Sequence, residues 1–175
     1  TSNIVWIDNA ADFGLEAEDE GKLFCGNVRK SCMCGTTGTE HALGCDGITY
    51  TWHELTDVLM LKVPGNYYMT KDITTSEQIA FAKGTTRLDF NGYTLTDTDW
   101  RLFTTNGSTD AKVWFTDTSA NKAGGLSLNK NGNSYTGQGV GMWLAGTGCE
   151  ANWLAGTMDA YKVTNVKYGG AAVYV

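Results

Sequence analysis

A chain of 175 residues suits one domain, or one domain with a small appendage, and 42% apolar against 18% charged residues is enough to bury a core. A net charge of −6 with no Lys/Arg cluster argues against nucleic acid or an anionic membrane as partner, because phosphate contacts need basic side chains. No apolar run approaches the roughly 20 residues of a membrane span, and the 22 Gly follow no Gly-X-Y period, which excludes collagen.

Residues 1–24 join TSNIVWIDNAADF to an acidic stretch, Glu16 to Glu20, and read as a leader or inter-domain linker. No signal peptide is recognisable. The start at Thr1 and the strand-like end GGAAVYV are read as those of a piece of a longer protein.

Residues 25–60 form a second unit, which holds four of the five Cys and both His. Its apolar content is too low for a conventional core, so something else must hold it together. Cys32, Cys34, His41 and Cys45 read as C-x-C-x6-H-x3-C, four soft or borderline ligands within fourteen residues. Such a set suits a tetrahedral structural Zn²⁺ with no open coordination position. The C-x-C pair is closer than the usual spacing, and Gly35 directly after Cys34 would help the tight turn it needs. Cys25 is an alternate that would replace one of the four. Disulfides are the competing reading. With five Cys, at least one would then stay free or pair with another chain. Cys149 reads as a core thiol.

From residue 61 to 175 the texture is strand-like. PGNYYMTKDITT alternates polar and apolar residues. In TTRLDFNGYTLTDT, Leu88, Phe90 and Leu95 are expected to point inward, and Asn91-Gly92 is a turn dipeptide suited to positive φ. RLFTT, AKVWFTDT, GLSLN, GVGMWLAGT, NWLAGTMD, YKVTNVKY and GAAVYV follow as short strands, most of them separated by Gly, Asn, Ser or Asp. No segment has a convincing helical period with caps. The reading is all-β.

Two echoes choose between all-β architectures. WLAGT occurs at Trp143–Thr147 and again ten positions on, at Trp153–Thr157. GVGMWL at Gly139 returns as GAAVYV at Gly170, 31 positions on. Strands recurring at a short step, and again at three times that step, predict a right-handed parallel β-helix, a solenoid with three faces of about ten residues. A β-sandwich or jelly roll is the alternative. The stretch Asn129–Gln138 is an irregular insert that blurs one coil boundary.

These lines resemble the pectate-lyase-like β-helix region of secreted and surface proteins of gut-type Gram-positive bacteria. LDFNGYTLT (Leu88–Thr96) is similar to that family's "LDLNGHTLT" and GNYYMTKDITT (Gly65–Thr75) to its "GNYYLTKDVTL". GVGMWL and GAAVYV are similar to its "GGGVYV" coil ends. CMCG, His41, Cys45 and TWHEL resemble its upstream Cys-x-Cys-Gly, His, Cys and "TWTEW" series, with His53 and Leu55 departing from that last pattern. The resemblance covers roughly residues 30–175 and implies fold and a secreted or cell-surface location more than an activity.

Two kinds of site are expected on the solenoid. Asp97, Asp99 and Arg101, with Asp117 one or two strands on, are candidates for acid–base work on a polysaccharide or for a Ca²⁺ site; a solvated acidic turn is the plainer reading. Trp100, Trp114 and Tyr135 are candidates for stacking on sugar rings, in a chain with six Trp and eight Tyr. For Trp143 and Trp153, stacking inside the coil is the preferred expectation. No nucleophile elbow and no phosphate loop occurs. The expected function is a non-catalytic adhesin or carbohydrate-binding surface protein, with a polysaccharide or surface glycan as partner. The alternatives are the first part of a polysaccharide lyase or hydrolase, and a structural stalk or fibre, which would be a homo-oligomer.

Overall fold

The computed structural model describes residues 2–6, 23–36, 38–98, 102–105, 109–128, 139–160 and 170–174. Their order is β1 (Ser2–Trp6), β2 (Leu23–Ser31), β3 (Tyr50–Glu54), a 3₁₀ helix (Val58–Lys62), β4 (Asn66–Tyr68), β5 (Ile73–Thr75), β6 (Ile79–Ala80), β7 (Gly84–Asp89) and β8 (Thr94–Asp97). Then come β9 (Phe103–Thr104), β10 (Ala111–Thr116), β11 (Gly125–Leu128), β12 (Gly139–Trp143), β13 (Glu150–Trp153), β14 (Thr157–Ala160) and β15 (Gly170–Tyr174). The protein is all-β. No helix among the described residues is long and apolar enough to cross a membrane.

From β4 onward the strands fall into three parallel sheets. The first holds β4, β7, β10 and β13, the second β5, β8, β11 and β14, the third β6, β9, β12 and β15. Successive strands therefore lie in successive sheets, and each returning strand pairs in parallel with its predecessor of the previous pass. Parallel neighbours need a crossover, which here is supplied by the strands of the other two sheets. The first sheet is prolonged beyond β4 by β3, in parallel, and then by β2 and β1, both antiparallel. A sandwich or jelly roll rests on antiparallel pairs; among the described residues those are confined to β1–β2 and β2–β3.

In-register pairing stacks like on like. Tyr67, Leu88 and Phe115 form one buried column, Ile79, Phe103 and Met142 another, and Leu95 and Leu126 a third. Phe103 stacks on Phe81, with centroids 5.0 Å apart, and reaches Phe115 at 5.5 Å, while Phe90 lies parallel to Phe115 at 5.9 Å. Each such ring pair is worth about 0.5–1.5 kcal/mol beyond the area it buries. Leu88, Phe90 and Leu95 all point inward as expected. The corner between Phe90 and Leu95 is made by Asn91 and Gly92 at φ 52° and 88°, closed by Tyr93 N–H donating to the Phe90 carbonyl.

The two echoes prove to be of different kinds. Gly139 stands opposite Gly170 and Met142 opposite Val173, so the 31-residue echo is one pass of the chain, stacked in register. The WLAGT copies do not stack. Trp143 ends β12 in the third sheet and Trp153 ends β13 in the first. Each is followed by a corner containing a positive-φ glycine, Gly146 at 128° and Gly156 at 105°. The ten-residue echo is thus one corner used twice on consecutive faces. Trp143 is half-buried opposite Thr104. Trp153 keeps 37% of its surface exposed while packing on Phe115 and Phe90 at 4.9 and 5.7 Å.

Candidate metal centre

The loop between β2 and β3 carries all four principal ligand candidates. Two tight turns bring them together. Gly35 N–H donates to the Cys32 carbonyl, with Gly35 at φ 79°, a conformation glycine adopts without a Cβ penalty. Cys45 N–H donates to the Ala42 carbonyl across a turn containing Gly44 at φ 86°. A third positive-φ glycine, Gly47 at 72°, lies where a Cβ would come within 3.2 Å of the His41 ring. Glycine at these positions lets one ligand pair close on the other.

The ligand atoms of Cys32, Cys34, His41 and Cys45 all lie within 4.8 Å of one another, close enough to bind one metal ion. Cys32 Sγ is 3.2 Å from Cys34 Sγ, and Cys34 Sγ is 3.6 Å from His41 Nδ1. Sulfurs at about 2.3 Å from a shared tetrahedral Zn²⁺ would stand about 3.8 Å apart, and a sulfur and an imidazole nitrogen slightly less. The set therefore fits such an ion with shifts of up to about 1 Å in the ligand–ligand distances. Cys32 is buried, Cys34 and Cys45 half-buried and His41 exposed. Burial pushes the Cys32 thiol up. At Cys34 burial acts in the same direction but is outweighed by hydrogen bonds from Ala42, Thr36 and His41, which bring the thiol down to about 5. A thiolate is the metal-binding form. Cys25 stands in β2 opposite Ile4, and its side chain lies outside the described residues.

Around the loop is a polar scaffold that sequence reading missed. Arg29 on β2 pairs with the fully buried Asp89 carboxylate, with Asn91 and Thr118 also accepting from its guanidinium. Its guanidinium lies 4.4 Å over the Tyr68 ring. Asp89 also accepts from the N–H groups of Asn91 and Thr118 and from the Thr118 hydroxyl. Arg87 stacks on Tyr50 at 4.1 Å and donates to its hydroxyl, and Tyr50 in turn donates to Asp46. Arg29 and Asp89 are 60 residues apart, and nothing local in the sequence pairs them.

The candidates for chemistry fare differently. Asp99, Arg101, Trp100 and Tyr135 lie outside the described residues. Asp97 is fully buried in β8 opposite Thr75. Asp117 is also fully buried, at the corner after β10, where it accepts from the N–H groups of Gly92, Ser119 and Gly124. Burial alone would raise its pKa, but these donors hold it below the ordinary carboxylate range. A carboxylate enclosed in this way shapes a corner; it has no open side for a substrate. Among the described residues the Cys/His set is the one group of three or more Cys, His, Asp or Glu placed to share an ion, and no all-carboxylate Ca²⁺ group stands beside it. Trp114 is half-buried on the outer face of the first sheet, packed against Met33, Trp52 and Tyr68. No family model, curated protein or solved structure matches this chain.

Proposed function

We propose that this chain is the capped part of a right-handed parallel β-helix from a secreted or surface-exposed bacterial protein, working by binding and not by catalysis. A structural zinc ion in the Cys32–Cys45 loop holds its cap. The solenoid reading rests on the three sheets visited in turn and on the 31-residue register of β12 and β15. The cap reading rests on β1–β3, which prolong the first sheet and cover the edge of β4 that a solenoid would otherwise leave unpaired. One observation carries the zinc reading: four ligand atoms converge within 4.8 Å in a loop where Met33 is buried but the other large apolar residues, Leu43 and Ile48, are 100% and 53% exposed. Such a loop has a single buried apolar anchor, and an ion would supply a further cross-link.

The placement of two of the candidate carboxylates supports binding over catalysis. Asp97 and Asp117 are buried, and Asp117 is saturated by N–H donors. A polysaccharide or surface glycan remains the proposed partner, through aromatic side chains stacking on sugar rings.

Elemental analysis with a free-thiol count tests the metal. One zinc per chain, with thiols that become reactive only after chelation, is expected; two disulfides and no metal would overturn it. Calorimetry with host and plant polysaccharides tests the partner, and the absence of binding to every one of them would remove it. Release of unsaturated uronates from pectin would instead establish a lyase.

A further inference from the structure

The ligand-bearing loop reaches far beyond the two strands it joins. β2 and β3 lie at one end of the first sheet, yet residues between them touch strands two and three places further on. Thr116 of β10 donates its hydroxyl to the Met33 carbonyl at 2.7 Å, a buried contact between residues 83 apart. Gly35 lies against Thr118, where a Cβ would come within 2.8 Å of the threonine Cβ. Asp46, next to Cys45, holds the Tyr50 hydroxyl, and through it the Arg87 guanidinium of β7. At the far end Gly44 faces Leu154, just past β13, where a Cβ would lie 3.4 Å from Leu154 Cδ1.

Beneath the loop runs an aromatic strip. Trp52 is fully buried, Tyr68 nearly so, and Trp114 half-buried, with Met33 packed among them. The loop buries Met33 but leaves Leu43 and Ile48 exposed, so a ligand cross-link would weigh heavily in whether it stays shut.

We infer that the metal-bound loop is a clasp. Ion occupancy holds residues 32–46 across β7, β10 and the end of β13, and loss of the ion uncovers Trp52, Tyr68 and Trp114. The inference rests on the metal reading of Cys32, Cys34, His41 and Cys45. It also has a reciprocal consequence: docking of the loop and binding of the ion share one coupling free energy, so the ion strengthens docking by the same factor by which docking strengthens ion binding.

The test uses the full chain loaded with Zn²⁺. Thr116→Val and Leu154→Ala alter the docking surface without touching a ligand. Zinc affinity, read by competition with a chromophoric chelator, is expected to fall about five- to tenfold in each, within the usual range of such couplings. In the unaltered chain, withdrawal of zinc by EDTA is expected to raise acrylamide quenching of tryptophan fluorescence, and Trp114→Phe to diminish that rise. Unchanged affinity in both variants, or unchanged quenching once zinc has gone, overturns the clasp and leaves the metal site standing. A chain that takes up no zinc removes the metal reading and the clasp together. Should Thr116→Val fail to fold, Leu154→Ala, at a half-buried corner, carries the affinity measurement alone.

Discussion

The three-sheet body and the Cys/His loop are held by different means. In the body, short strands place a large side chain inward at each pass, and register stacks Tyr67, Leu88 and Phe115, or Ile79, Phe103 and Met142, into continuous columns. In the loop, Met33 is buried while Leu43 and Ile48 face solvent. Burial therefore fixes the body, while the loop rests on tight turns and polar contacts, with an ion as its proposed cross-link. On the proposed metal reading, the fold is robust along one stretch of chain and conditional along another, and the conditional stretch lies over the robust one.

The comparison breaks most visibly at Phe115, whose ring meets Phe90, Phe103 and Trp153. Phe115→Ala should cost about 3–5 kcal/mol in urea unfolding, as large-to-small changes in a packed core do. The folded fraction should still take up metal. A loss of metal uptake at full foldedness would show that loop and body are not separable in this way.

Cys45→Ser tests the other half. It should abolish stoichiometric zinc binding and leave the sheet signal in circular dichroism. With free zinc a hundredfold above Kd, the ion's stabilisation of about 2.7 kcal/mol is lost, which is roughly 5–10 °C in Tm for a chain of this size. An unchanged Tm would mean that the loop is held by its polar contacts alone.

Asp117 sharpens the picture of the corners. Its folded pKa is depressed, so its stabilisation is complete above the unfolded value of about 3.9 and is lost as the pH falls through the folded value. Acid unfolding below about pH 4 should be less steep in Asp117→Asn, which at neutral pH should already be about 1–3 kcal/mol less stable, because the amide turns a donor towards N–H groups. Equal acid profiles would remove Asp117 from the corner. The smallest effect is expected at Lys112, which pairs with Glu150 across exposed positions of β10 and β13 at 2.8 Å. Lys112→Ala should leave Tm unchanged, since solvent screens such pairs.

Much of the body was legible because strand physics is local. Leu88 and Phe90 alternate as an inward face must and Leu95 resumes it after the corner, Asn91-Gly92 marks that corner by residue types that accept positive φ readily, and the Gly139/Gly170 echo matches the length of one pass. The ligand set was legible as well, from residue types that share one chemistry within fourteen residues. The WLAGT pair was legible as repetition but not as a corner, because the same five residues serve two faces in different sheets. Trp114 shows the limit at the site: it reads as a surface side chain, and the loop that packs over it comes from some seventy to eighty residues earlier.

The sequence by itself determined the strand class, the length of the β12–β15 pass and the four candidate ligands, since each depends on side chains close together along the chain or on a direct echo. Only the tertiary structure decided that Arg29 meets Asp89, that Thr116 meets Met33, and that Asp97 and Asp117 are enclosed. Those facts depend on which strands return side by side, and parallel return brings together residues that no local pattern connects.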